Sequence, residues 1–225
     1  MSRLNEIHNY YLSIGVEEET LIKYESTSVY LSLLIAKYAH KDQTRDNGEN
    51  YIVHPMGCLE KYRRLVGISD EEPFNFDADL LYECSIPYDG VQEVCLLHDV
   101  IEDTNFTIED IEEIFEEREL GLYYRLYIRK PLTLITHDKS VPYTEYIYEC
   151  MSHPTSALVK MIDLSDNSNP ITLSEYNQNN YDRCVRYLTF IYMINNAYHF
   201  IENAKKYKDK LIKTTSEVNW GCLFI

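Results

Sequence analysis

LLHDVIEDT, residues 96–104, sets four titratable groups, His98, Asp99, Glu102 and Asp103, among Leu96, Leu97, Val100 and Ile101. Successive residues on an α-helix diverge by about 100°, so His98 and Asp99 can both reach one ion held at a helix crossing. Glu102 follows His98 by four residues and Asp99 by three, which gives it their face, and Asp103 follows Asp99 by four. A helix with this apolar pattern is half buried, and burying several carboxylates without compensation is costly. A divalent cation is the natural compensation. A solvated acidic face with one incidental histidine is the other reading of the segment taken alone.

Helical spacing continues on both sides. Residues 26–42 carry Val29, Leu33, Ile35, Ala36 and Ala39 at helical intervals. The polar stretch DQTRDNGEN, 42–50, ends that helix, and Pro55 suits the first turn of the next, which runs to about residue 66. A helix is expected over 89–103, and Thr107 with Asp110 forms a capping start for 108–118. Further helices fit 121–130 (closed by Pro131), 142–152, 155–168 and a long span over 178–212. Only 7 Gly and 7 Pro stand in 225 residues, too few breakers for a sandwich or barrel built from tight turns. The pattern predicts an all-α bundle of seven to nine helices in one domain. An N-terminal segment, 1–25, precedes a helical domain over 26–175. An acidic insertion at 67–90 interrupts that domain. A long helix and tail, 176–225, either pack on it or pair with another chain.

Two other segments extend the constellation. YIVHP, 51–55, puts His54 just before a helix start, and KMIDLSDN, 160–167, puts Asp163 inside an apolar helical pattern with Asn167 one turn on. A lone Asp in such a helix is either paired or a ligand. Mixed His and carboxylate donors suit manganese, iron(II) or zinc better than calcium, which prefers oxygen alone. Lys160 and Lys41 are candidate cations, with Lys41 reading rather as a solvated surface lysine. His40 reads as a buried or supporting histidine rather than a ligand. The second His-Asp doublet, His137-Asp138, reads as a loop before the Pro142 helix start.

The charge balance narrows the partners. A net charge of −16 gives no basic footprint for a nucleic-acid backbone or an anionic bilayer, so neither is expected. The six scattered cysteines form no C-x-x-C pair and read as reduced thiols of a cytoplasmic protein.

The order AKYAHKDQTRDNGENYIVHP, LLHDVIEDT, VKMIDLSDN resembles the HD-domain phosphohydrolases, and more closely the RelA/SpoT-type and small stand-alone alarmone hydrolases. The resemblance covers residues 28–168. It implies an all-α HD-domain bundle that removes the 3′-pyrophosphate of (p)ppGpp, with Mn2+ held by His54, His98, Asp99 and Asp163. It also implies that Glu102 and Asp103 position and activate the attacking water, that Arg45 packs on the base and that Asn167 contacts the ribose or phosphate side. Lys160 is the expected cation near the phosphates. Two departures reduce the positive charge: Asp46 stands where a basic residue is common, and Leu164-Ser165-Asp166 replaces a segment that carries Arg and His. They favour, as the alternative, an HD nucleotidase releasing orthophosphate; a non-catalytic regulatory protein is the third reading.

Overall fold

The computed structural model describes residues 2–67, 89–168 and 177–206, so most of the acidic insertion and the tail beyond 206 lie outside the described residues. Helices form where apolar spacing runs: α1 (Arg3–Ser13), α2 (Glu18–Glu25), α3 (Ser28–Ala39), α4 (Val53–Leu65), α5 (Val91–Leu97), α6 (Val100–Asp103) and α7 (Ile108–Glu117). Then come α8 (Gly121–Tyr123), a π-helical turn (Tyr124–Ile128), α9 (Arg129–Ile135), α10 (Tyr143–Met151), α11 (Pro154–Asn167) and α12 (Gln178–Lys206). Among the described residues no strand forms; one isolated bridge pairs Thr44 with Asn50. The all-α expectation holds. The number of segments exceeds seven to nine because two expected helices are subdivided and the N-terminal segment is itself helical.

Both subdivisions have local causes. The expected helix 89–103 tightens at His98-Asp99, where Asp99 takes φ −97°, ψ −8° and the His98 ring turns back onto Cys95 O. Pro131 does not close its helix. The π-turn before it bonds Arg129 N–H to Tyr124 O, five residues back, and places Pro131 in the first turn of α9. There its missing N–H is one of the donors a helix start leaves unbonded anyway. Gly90, at φ 80°, opens α5 where a Cβ would lie 2.3 Å from Tyr127 O, so a side chain there would drive α5 off the π-turn.

Two apolar clusters meet at α11. Leu158, Val159 and Ile162 belong to the larger one with Leu4, Leu31, Ile35, Tyr62, Val94 and Ile111. Ala157 and Leu164 belong to the smaller one with Tyr146, Ile147, Phe190 and Ile194. A helix buried on nearly every side is apolar nearly all round, which makes Asp163, 3% exposed, conspicuous. The expected cap is present: Thr107 and Asp110 form a reciprocal capping box at α7. On the acidic helix face, Glu109, Glu112 and Glu116 pair with Arg125 or Arg129.

Candidate active site

Four helix segments bring the chemistry together. His54 stands at the start of α4, His98 and Asp99 at the α5–α6 turn, and Asp163 on α11. His54 Nε2 lies 3.1 Å from Asp163 Oδ1, 3.2 Å from His98 Nε2 and 3.5 Å from Asp99 Oδ2. His98 Nε2 lies 3.2 Å from Asp99 Oδ2 and 3.7 Å from Asp163 Oδ1. Both rings commit Nδ1 elsewhere: His98 Nδ1–H donates to Cys95 O at 2.9 Å, and His54 Nδ1–H to Asp166 Oδ2 at 2.7 Å. In the neutral rings each Nε2 is then a lone pair. Two imidazole lone pairs and two carboxylate oxygens facing one point are reconciled only by cationic charge. Ligands about 2.0–2.2 Å from a shared ion stand at this mutual spacing.

The electrostatics agree. Burial pulls the His98 pKa down, but Asp99 and Asp163 outweigh it and hold the ring well above its ordinary value; His54 is raised likewise through Asp163 and Asp166. Burial opposes the ionisation of Asp163, and Lys160 with the two histidines more than offsets it. The two carboxylates thus favour positive charge at this point. Cys58 Sγ lies 3.9 Å from His54 Nδ1, and His54, Cys58 and His98 also form a group able to hold a metal ion. Its thiol faces the nitrogen that Asp166 already occupies, and burial pushes its pKa up.

The remaining sequence candidates divide. The Tyr51 hydroxyl sits 2.8 Å from Asp99 Oδ2 and 2.9 Å from Asp103 Oδ2, bringing Asp103 to the cluster. Glu102 Oε2 accepts the backbone N–H of His137 at 3.2 Å, and burial raises its pKa. Arg45 leaves the turn closed by Gly48 (φ 85°) and donates to Asp166 Oδ2 at 3.0 Å and to Asn167 Oδ1 at 3.1 Å. Asn167 in turn donates to Asp163 Oδ1 at 2.6 Å. Lys160 Nζ is placed against Asp163 Oδ2 at 2.8 Å and over the Tyr146 ring. His40 is buried, stacks on Tyr51 at 4.6 Å and bonds Gln43, as its reading as a supporting residue expects.

A pocket of ≈ 200 Å³ is lined by Thr44, Arg45, Asp46, Tyr51, Asn167, Arg183 and Tyr187. Lys160 is not among its walls. Arg183 and Tyr187 come from α12, which sequence reasoning treated only as a packing or pairing helix. Arg183 reaches to 3.7 Å from Asp46, and its Nε is buried with no hydrogen-bond partner among the described residues. Nothing local in the sequence singles out Arg183, because only the docking of α12 on α11 brings it here. Asp166 was discoverable, since it follows Asp163 by three residues and so shares its face.

No family model matches the chain. The guanosine-3′,5′-bis(diphosphate) 3′-pyrophosphohydrolase MESH1 of Xenopus tropicalis is 30% identical over 148 residues, covering 63% of this chain and 68% of the relative. The chain belongs to the HD-type (p)ppGpp hydrolase family. Another member of the family, the bifunctional (p)ppGpp synthase/hydrolase SpoT of Escherichia coli, is 37% identical over 82 residues, 36% of this chain. The chain spans about a tenth of that protein, the match covering 9% of its length. A solved metazoan ortholog of SpoT, described as hydrolysing ppGpp, superposes with a TM-score of 0.50 at 21% identity. The overlap covers 75% of this chain and 85% of the other, which shows a shared fold.

Proposed function

We propose that this protein is a metal-dependent phosphohydrolase that removes the 3′-pyrophosphate of (p)ppGpp in the cytoplasm. The observation that carries the reading is the convergence of four side chains in a chain of this family, with His54 Nε2 and His98 Nε2 each 3.1–3.7 Å from one another and from an oxygen of Asp99 and of Asp163. His54, His98, Asp99 and Asp163 would hold the ion, and their mixed nitrogen and oxygen donors suit Mn2+. When bound, the ion supplies Lewis acidity and lowers the pKa of water toward neutrality.

The chain's own residues do the rest. Glu102, braced by the His137 N–H, accepts the proton of the attacking water, and Asp103, tethered by Tyr51, orients that water. Attack at the phosphorus next to the ribose 3′ oxygen breaks that P–O bond. Pyrophosphate leaves, the 3′ oxygen takes up a proton, and GDP or GTP remains. Arg45, held flat between Asp166 and Asn167, packs on the base, and Asn167 holds the ribose side. Lys160 acts as a cation beside Asp163. Arg183 supplies a pocket charge that offsets Asp46, answering the shortage of basic residues in 164–170.

The described cysteines, Cys58, Cys95, Cys150 and Cys184, are free thiols, which supports a reducing compartment. Among the described residues no helix is long and apolar enough to cross a membrane. The proposal includes a homo-oligomer through α12. Its support is the exposed stripe Tyr181, Val185, Leu188 and Tyr192, spaced four, three and four as in a coiled-coil seam.

Phosphorus NMR of the purified chain with ppGpp and Mn2+ tests the function. Pyrophosphate plus GDP, lost on chelation and in Asp99→Ala, is the expected result. Orthophosphate would make it a phosphatase, and no turnover of ppGpp or other nucleotides would make it a regulatory protein.

A further inference from the structure

Helix α11 presents two carboxylates to one imidazole. Asp163 Oδ1 stands 3.1 Å from His54 Nε2, and Asp166 Oδ2 stands 2.7 Å from His54 Nδ1. Residues three apart on a helix share a face, so a single turn of α11 grips both nitrogens of the ring. The ring is 2% exposed, so bulk water offers Nδ1 no ready replacement acceptor. The other histidine of the cluster is held differently: His98 Nδ1 meets a neutral carbonyl, Cys95 O. Of the two rings, only His54 has an anionic partner at Nδ1.

We propose that Asp166 is a positioning residue of the metal centre. By accepting the Nδ1–H of His54, it fixes the tautomer whose Nε2 lone pair faces His98, Asp99 and Asp163, and it raises the basicity of that nitrogen toward a divalent cation. The proposal rests on the metal-centre reading above and adds a residue to it. Asp166 also accepts from Arg45 at 3.0 Å and Lys61 at 2.9 Å. These two cations hold the carboxylate against the ring. They also give a rival account, in which Asp166 only ties α4 and the Arg45 turn to α11.

Mn2+ titration of the full chain followed by electron paramagnetic resonance separates the two. Asp166→Ala is expected to weaken Mn2+ binding roughly 10–100-fold. Asp166→Asn recovers most of that loss, because its Oδ1 still accepts the Nδ1–H although it cannot ion-pair. Lys61→Met, which breaks an ion pair and leaves the His54 bond, keeps the parent affinity. Parent affinity in Asp166→Ala overturns the proposal, as does an Asn variant as weak as the Ala variant, or a Lys61→Met loss as large as the Ala one. A reading that needs no variant to fold comes from long-range 1H–15N spectra of the parent loaded with diamagnetic Zn2+. His54 should show a protonated Nδ1 and a metal-shifted Nε2; a ring bound through Nδ1 overturns the proposal. A parent that binds neither ion overturns the metal reading itself, whereas tight binding indifferent to Asp166 overturns only this inference.

Discussion

Glu102 Oε2 is hydrogen-bonded to the backbone N–H of His137, 35 residues away and at the start of the loop between α9 and α10. The second His-Asp doublet therefore enters the site through its backbone. Its ring faces Tyr143 and Tyr146, and Nε2 donates to Val141 O. The brace fixes Glu102 beside the donor cluster while burial raises its pKa.

Glu102→Gln is expected to lower kcat by roughly 10²–10⁴-fold, the worth of a positioned base, while leaving Mn2+ affinity intact. The sign of the pH dependence follows from the raised pKa. A base works only when deprotonated, so activity falls as pH drops through a pKa above the ordinary 4.5. The acid limb of kcat should sit above that value. A limb at or below it, or an active Gln variant, would remove Glu102 from the mechanism.

Metal removal should be visible in stability as well as activity. A cation that binds the folded chain and not the unfolded one stabilises it, so Mn2+ at 100 times its Kd should add about 2.7 kcal/mol to the folded state. Differential scanning calorimetry with and without chelator measures this. Asp99→Ala should abolish the Mn2+-dependent rise in Tm.

Arg183→Ala should raise KM about 10–100-fold, the equivalent of one hydrogen bond to a charged group. Tyr187→Phe should have a smaller effect in the same direction. Steady-state kinetics on ppGpp tests both. An unchanged KM in Arg183→Ala would take α12 out of the substrate pocket.

Buried Glu25 on α2 is held by His8 of α1 at 2.9 Å and by Arg118, which follows α7. Removing Arg118 leaves a carboxylate, 1% exposed, with one partner fewer. Arg118→Ala should cost about 3 kcal/mol in urea unfolding. A loss below that of an ordinary surface substitution would show that His8 suffices.

Thr107→Ala should cost about 1 kcal/mol by removing the cap of α7. Burial opposes ionisation of Asp110, but the Thr107 N–H and hydroxyl, with Arg3, hold its pKa below 3.8. Its contribution is therefore present above pH 3.8 and lost as pH falls through the lowered value. The gap between the thermal melts of parent and Thr107→Ala should narrow in that acid window without closing, because the Asp110 N–H still bonds the Thr107 hydroxyl in the parent.

Leu188→Lys tests the α12 stripe. Sedimentation velocity should find the parent as an oligomer and the variant as a monomer. A monomeric parent would remove the pairing role.

The sequence by itself determined the helical class and singled out His54, His98, Asp99 and Asp163, which the fold brings together. Period-3.6 apolar spacing, scarce Gly and Pro, and a His-Asp doublet followed by Glu-Asp are properties of local residue order, legible without coordinates. The Thr107 capping box was legible for the same reason, since its partners are three residues apart. Segment boundaries were less so: the π-turn that lets Pro131 continue a helix packs its Tyr127 carbonyl where a Cβ on Gly90, from another element, would stand. The tertiary structure alone decided which ring nitrogen faces the cluster, that Lys160 is spent on Asp163, and that His137 braces Glu102. It also brought Arg183 into the pocket. Each of these depends on the direction of a side chain across a helix crossing, and such directions are set by packing between residues tens of positions apart. Pattern within a helix fixes its face, and only the docking of one face against another fixes what that face meets.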